Sequence, residues 1–289
     1  VYGAPQECQR LQANAVSGVT LLVDDGAVAR VLLGDQAAAP TSPVAFALDP
    51  NMRVIERVER AQNEDAAMLL RRVADVYARQ PRAKPLVKSQ QAPMLFVPQV
   101  LEVEMCNELI AYFKKEGGKP SGTGYVDGAQ VYWRLDPSVK MRSDVYLEEP
   151  ALLDRVKERL LRRLLPEIQR CFNFQVTQHE VFKLSCYDAE TGGYFRPHRD
   201  NESADTRHRR FAMTLNLNTG DYDGGQLHLP EFGPDLYQPQ RGDAVVFSSS
   251  LLHEVVPVTR GQRYVLIGFF FGKDQTMAPM HYVPANTGA

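Results

Sequence analysis

His198 and Asp200 stand one residue apart in "GGYFRPHRDN", Gly192 to Asn201. In an extended segment, residues i and i+2 point to the same side. This spacing therefore offers an imidazole nitrogen and a carboxylate oxygen to one ion. Two donors do not make a site, so a third must come from elsewhere in the chain. Of the six histidines, His179, His198, His208, His228, His253 and His281, one stands out. His253 lies in "SSSLLHEVVPVTRGQRYVLIGFFF", two strand-like runs about a "TRGQ" turn. Two histidines and one carboxylate hold one face of a metal ion and leave its other positions open.

Two other chemistries use similar letters. His198-Arg199-Asp200-Asn201 spells the catalytic-loop tetrad of protein kinases. That reading needs a G-x-G-x-x-G strand loop and a strand lysine upstream and Asp-Phe-Gly downstream, and none is present,. Zinc hydrolases take comparable ligand sets. They leave Arg263 unexplained, ten residues beyond His253 in the apolar run "RYVLIGFFF". Buried without a partner, a guanidinium is strongly unfavourable. A dicarboxylate ligand provides one: its 2-oxo acid end chelates the metal and its far carboxylate pairs with the Arg263 fork.

His198-x-Asp200, His253 and Arg263 together resemble the Fe(II)- and 2-oxoglutarate-dependent dioxygenases. The surrounding "CYDAETGGYFRPHRDN", "RRFAMTLNLN", "DYDGGQLHLP" and "PQRGDAVVFSSSLLHEVVPVTRGQRYVLIGFFF" are similar to the prolyl 4-hydroxylase-like branch, over about Pro93–Lys273. The resemblance implies an α+β fold whose core is a double-stranded β-helix, or jelly roll, with flanking helices. It implies Fe(II) on His198, Asp200 and His253, with 2-oxoglutarate and O2 as cosubstrates and ascorbate as a reductant. Tyr187 and Arg263 would hold the far carboxylate of 2-oxoglutarate, and Thr214 and Asn216 would line its pocket. The implied reaction hydroxylates a protein, peptide or small-molecule substrate, a peptidyl proline being favoured, and releases succinate and CO2. Tyr125, Trp133, Arg134 and Tyr194 are candidate substrate contacts. A non-catalytic 2-oxoglutarate- or iron-binding barrel is the rival reading, and the intact donor set argues against it.

Around this set the chain divides at "QPRAKPLVKSQQAP", Gln80 to Pro93, which holds three prolines and no periodicity,. The expected organisation is a segment 1–80, a linker 81–93 and a catalytic domain 94–289. Before the linker come a strand at Val19–Asp25, a short helical piece, a hairpin over Pro43–Val58 and a helix over Asn63–Gln80. This order resembles the second half of a thioredoxin- or peroxiredoxin-like fold, with Pro43 at that fold's cis-proline position. The redox-cysteine helix is missing, so a docking role, through a partner or self-association, is expected rather than disulfide chemistry. After the linker, amphipathic helices are expected at Glu102–Gly117 and Ala151–Phe172, the second broken at Pro166. The glycine-rich Gly117–Gln130 reads as a binding loop. Short strands follow to the end.

Of the 289 residues, 44% are hydrophobic and 24% charged, as in globular domains,. The net charge of −2 gives no general attraction for nucleic acid or anionic membranes,. No apolar run is long enough to span a bilayer. The first residues lack a secretion signal's basic start and apolar core. Cys8, Cys106, Cys171 and Cys186 are scattered without a C-x-x-C pair. A cytoplasmic location is the expectation.

Overall fold

Alternation along each strand assigns one face to one layer and the next residue to another. The computed structural model describes residues 44–49, 54–80, 87–88, 90–127, 130–274 and 282–283. The chain forms two compact units, Val1–Val87 and Lys88–Ala289.

In the first unit, β1 (Val44–Leu48) pairs antiparallel with β2 (Val54–Glu59). Helix α1 (Ala66–Arg79) follows, its start fixed by the Asp65 carboxylate, which accepts from the Met68 amide at 2.8 Å,. Ala45, Ala47, Val58, Leu69 and Val76 close a small core between hairpin and helix. The expected strand at Val19–Asp25, the helical piece after it, Pro43 and Cys8 lie outside the described residues.

The second unit runs β3 (Met94–Val97), α2 (Val103–Glu116), β4 (Lys119–Pro120), β5 (Thr123–Asp127), β6 (Gln130–Arg134), β7 (Lys140–Met141) and β8 (Ser143–Tyr146). Helices α3 (Pro150–Arg163) and α4 (Leu165–Phe172) come next. Then follow β9 (Gln178–His179), β10 (Lys183–Asp188), β11 (Tyr194–His198), β12 (Phe211–Asn216), β13 (Asp223–Gly224), β14 (Leu227–His228) and β15 (Leu236–Tyr237). The last are β16 (Ala244–Ser248), β17 (His253–Val255), β18 (Val258–Arg260), β19 (Gln262–Phe271) and β20 (Tyr282–Val283). The break between α3 and α4 falls at Leu164, two residues before Pro166, which has no N–H to continue the ladder,.

The larger sheet has the order β3-β16-β12-β19-β10-β8-β4, with β9 on β19. The smaller has the order β15-β14-β17-β11-β7. From β10 to β12, the chain crosses to the smaller sheet at β11 and returns. It crosses again at β14, returns at β16, crosses at β17 and ends on β19. This repeated crossing is the winding of a jelly roll.

Alternation explains the layers. Leu184, Cys186, Met213, Leu215, Val246 and Leu266 face the helices, meeting Leu109 and Phe113 of α2, Val156 and Leu160 of α3 and Ile168 of α4. Their neighbours Ala212, Val245, Phe247 and Phe269 face the smaller sheet at Leu227 and Leu229. Buried on both faces, β19 reads as a nearly unbroken apolar run.

One expectation is corrected. Gly117–Gln130 is not a loop: β4 joins the edge of the larger sheet at β8, and β5 pairs with β6 from Thr123↔Arg134 to Asp127↔Gln130. Non-local pairing overrides its glycine-rich composition.

Candidate functional site

The two histidines come from neighbouring strands of the smaller sheet. His198 ends β11 and His253 begins β17, directly opposite it in register. Asp200 follows two residues after His198 and is anchored by its amide, which donates to Ser249 O at 2.9 Å. One donor atom from each residue lies within 4.8 Å of the others. His198 Nε2 is 3.6 Å from Asp200 Oδ1, and His253 Nε2 is 3.3 Å from Asp200 Oδ2.

Both rings are held the same way. His198 Nδ1 meets Arg196 O at 2.8 Å, and His253 Nδ1 meets Leu251 O at 2.9 Å. A carbonyl oxygen only accepts, so each Nδ1 carries the proton and each Nε2 keeps its lone pair for the centre of the cluster. Phe195 stacks on His198 with centroids 3.4 Å apart, and Phe247 meets His253 edge-on at 4.7 Å. Burial opposes the charge on Asp200. The protonated form of His253, and hydrogen bonds from both rings when they are protonated, outweigh it and hold the carboxyl of the metal-free site well below its usual range,. Burial likewise presses the His198 pKa down. Two nitrogens and one carboxylate oxygen converging with lone pairs inward fit a divalent metal ion with positions left open.

Arg263 lies on β19 opposite Tyr187 of β10 and is 2% exposed. Its Nη2 donates to Asn216 Oδ1 at 3.0 Å and reaches Thr214 Oγ1 at 3.5 Å. Its Nε has no hydrogen-bond partner, and no carboxylate pairs with it among the described residues. Neither Asn216 nor Arg263 is among the residues that line the cavity; Asn216 accepts the arginine's bond. Its Nδ2 donates to Thr219 Oγ1, Tyr222 Oη and Pro239 O, which turns Oδ1 toward the guanidinium,. Gly225 completes this corner: a Cβ there would stand 2.8 Å from Arg263 Cδ, and its φ is +66°.

The triad, Tyr187 and Thr214 open onto one cavity of about 840 Å³, between the two sheets and the β4–β5 segment. Sequence reasoning missed several wall residues. Lys140, Arg142 and Asp144 line it from β7–β8, and Lys183 and Arg209 join them. Arg142 Nε meets Asp144 Oδ1 at 3.0 Å, and its Nη1 donates to the Tyr187 hydroxyl at 3.1 Å. Burial opposes the Asp144 charge, but Arg142 outweighs it and brings its pKa to about 2. The signal was present in "VKMRSDVY": Lys140, Arg142 and Asp144 recur with period two, as residues on one strand face must,.

The candidate substrate contacts fare differently. Tyr194 is turned from the cavity that its neighbour Phe195 lines, and its hydroxyl donates to Pro137 O. Arg134 is exposed, pairs with Asp136 at 3.4 Å and lies off the cavity wall. Tyr125 and Trp133 fall in β5 and β6, with side chains outside the described residues. Of the other histidines, His208 bonds Glu180 and His228 bonds Glu254, each at 2.8 Å, away from the triad. His281 lies outside the described residues.

The stretch 182–271, which carries the triad, Tyr187 and Arg263, matches the family model of the 2OG-Fe(II) oxygenase superfamily. This stretch is thus similar to that superfamily. Similar curated proteins include a PKHD-type hydroxylase of Maricaulis maris, 30% identical over 150 residues, 50% of this chain and 66% of that protein. Another, from Stutzerimonas stutzeri, is 34% identical over 145 residues, 46% of this chain and 62% of that protein. The chain thus spans less than two thirds of the length of these relatives. Among solved structures, a Pseudomonas putida prolyl-4-hydroxylase aligns with a TM-score of 0.48 and 21% identity, over 62% of this chain and 92% of that one. No helix among the described residues is long and apolar enough to cross a membrane.

Proposed function

We propose that the second unit is an Fe(II)- and 2-oxoglutarate-dependent oxygenase. It hydroxylates a peptidyl residue such as proline and releases succinate and CO2. The observation that carries this reading is the combination of a convergent His198–Asp200–His253 donor set with a buried Arg263 that has no acidic partner among the described residues.

The bound metal and 2-oxoglutarate supply the oxidising chemistry. The chain holds and orients them. Arg196 O and Leu251 O fix both imidazoles with Nε2 inward. Arg263, beside the cavity residues Tyr187 and Thr214, would receive the far carboxylate of the cosubstrate, with Asn216 and Thr214 setting the guanidinium plane. Phe195 and Phe247 cover the imidazole faces and keep water from them. A cavity of about 840 Å³ is in the range of sites for drug-sized ligands, so it has room for a substrate group beside the cosubstrate,.

We assign residues 1–80, the thioredoxin-like segment, a docking role toward a protein partner or a second copy. Removing them is expected to leave turnover intact and abolish association; undiminished association in the truncated chain removes that role.

The reaction is tested by succinate formation from 2-oxoglutarate with Fe(II), O2 and ascorbate, with mass spectrometry of lysate proteins for the hydroxylated product. The wild type is expected to form succinate and Asp200→Ala none. Equal succinate from both contradicts the proposal.

A further inference from the structure

The cavity has a second charged wall. Lys140, Arg142 and Asp144 project into it from β7–β8, and Lys183 from β10. Most of this charge is already matched. Asp144 takes Arg142 and accepts hydrogen bonds from Ser121 and Ser185 at 2.5 and 2.6 Å. Arg209 is bound by both oxygens of Glu180, at 2.5 and 2.9 Å.

The two lysines are not matched. Lys140 is 7% exposed; its Nζ donates to Gly122 O at 2.7 Å and lies 5.0 Å from the centre of the Phe195 ring. That ring stacks on His198, so the amine stands one aromatic ring away from the triad. Lys183 Nζ lies 6.0 Å from the Tyr146 ring and 5.7 Å from the Phe269 ring. Neither lysine forms an ion pair with any described residue. Aromatic faces compensate an ammonium only in part, and a buried charge without a counter-charge is strongly disfavoured.

The position of these lysines separates them from the cosubstrate anchor. Lys183 and Tyr187 share one face of β10, four residues or roughly 13 Å apart along the strand. Tyr187 is the residue opposite Arg263, whereas Lys183 lies opposite Ile267. A carboxylate held at Arg263 leaves the lysine end of the cavity for another anion.

We infer that Lys140 and Lys183 form the seat of a substrate carboxylate, so that the hydroxylated group carries an acidic group or stands next to one. This rests on the oxygenase reading, with Arg263 taking the cosubstrate. The carboxylate comes from an acidic side chain in a peptide or from a free acid, and the two sources are separable.

The test is calorimetric binding to the full chain, without turnover. The probes are proline-containing pentapeptides in matched Asp/Glu and Asn/Gln versions, and N-acetyl amino acids beside their amides. The acidic member of a pair is expected to bind at least tenfold tighter than the neutral one. Preference among the peptides points to a side-chain carboxylate, and preference among the N-acetyl amino acids alone to a free acid. The preference is expected to shrink in Lys140→Met and in Lys183→Met; the second site is less enclosed and guards against a folding defect in the first. Saturating 2-oxoglutarate is expected to leave the acidic probe bound. No acidic preference in the wild type, or a preference undiminished in both variants, overturns the inference. So does displacement of the acidic probe by 2-oxoglutarate, because the lysines then hold the cosubstrate. A wild type that selects acidic probes but shows no metal-dependent binding of 2-oxoglutarate supports the lysine seat and removes the oxygenase reading instead.

Discussion

His198 and His253 face each other across the β11–β17 ladder with ring centroids 4.2 Å apart, each with Nδ1 on the carbonyl oxygen two residues before it. The repeated bond fixes one tautomer in both rings and aims both Nε2 atoms at Asp200. The histidine pair is therefore a preformed metal grip rather than two adaptable side chains.

Removing either ring is expected to weaken metal binding more than the loss of a supporting bond, which lowers affinity about 10–100-fold. Chelator competition with Fe(II) should place His198→Ala and His253→Ala at or beyond the upper end of that range. Circular dichroism should be unchanged. Metal affinity in both variants within a few-fold of wild type would rule out the triad as the metal site.

Gly225 is predicted to be intolerant of any side chain. A Cβ there meets Arg263 Cδ and Val258 Cγ2, each at 2.8 Å, from a backbone with φ of +66°. Gly225→Ala should lower stability by about 1–3 kcal/mol in urea unfolding, and also weaken 2-oxoglutarate binding by displacing the guanidinium. Unchanged affinity for 2-oxoglutarate in a folded Gly225→Ala protein would show that the glycine does not support Arg263.

Lys140 predicts a pH dependence of stability. Burial, together with the charges of Arg142 and Lys183, lowers its pKa to about 6, although Asp144 and Asp200 pull the other way. Between about pH 6 and about pH 10 the unfolded chain binds a proton at this lysine that the unliganded folded chain does not, and that a carboxylate bound beside it would restore, so stability of the free protein rises with pH. The melting temperature of the wild type should therefore gain on that of Lys140→Met as pH increases from 6.5 to 9. A constant difference between the two proteins would mean that the amine is charged in the folded state.

The grip was legible because its residues obey a local rule. His198 and Asp200 share a strand face by period two, and the hairpin carrying His253 and Arg263 is continuous in sequence. The same rule marked Lys140, Arg142 and Asp144, but no distant partner drew attention to them. Which strands meet was not legible. Pairing of β3 with β16 joins Phe96 to Val245 across most of the unit, and nothing local in "MLFV" announces it. Pairing also turned the glycine-rich stretch into β4, β5 and β6. Asn216 shares its strand face with Thr214 as expected, yet it bonds Arg263 and is not among the residues that line the cavity, a matter of depth that alternation does not record. Tyr194 stands near His198 in sequence, but adjacent strand residues face opposite ways and Phe195 holds the cavity side.

The most direct test of the account is equilibrium binding of 2-oxoglutarate under argon, with and without Fe(II), to wild type, Asp200→Ala and Arg263→Ala. The wild type should bind 2-oxoglutarate tightly only when the metal is present. Asp200→Ala should lose the metal dependence. Arg263→Ala should keep its metal and lose at least about tenfold in affinity for the cosubstrate, the loss of a charge-assisted pair of about 1.5–3 kcal/mol. Equal binding by Arg263→Ala and wild type, or wild-type binding indifferent to metal, would contradict the assignment of this site.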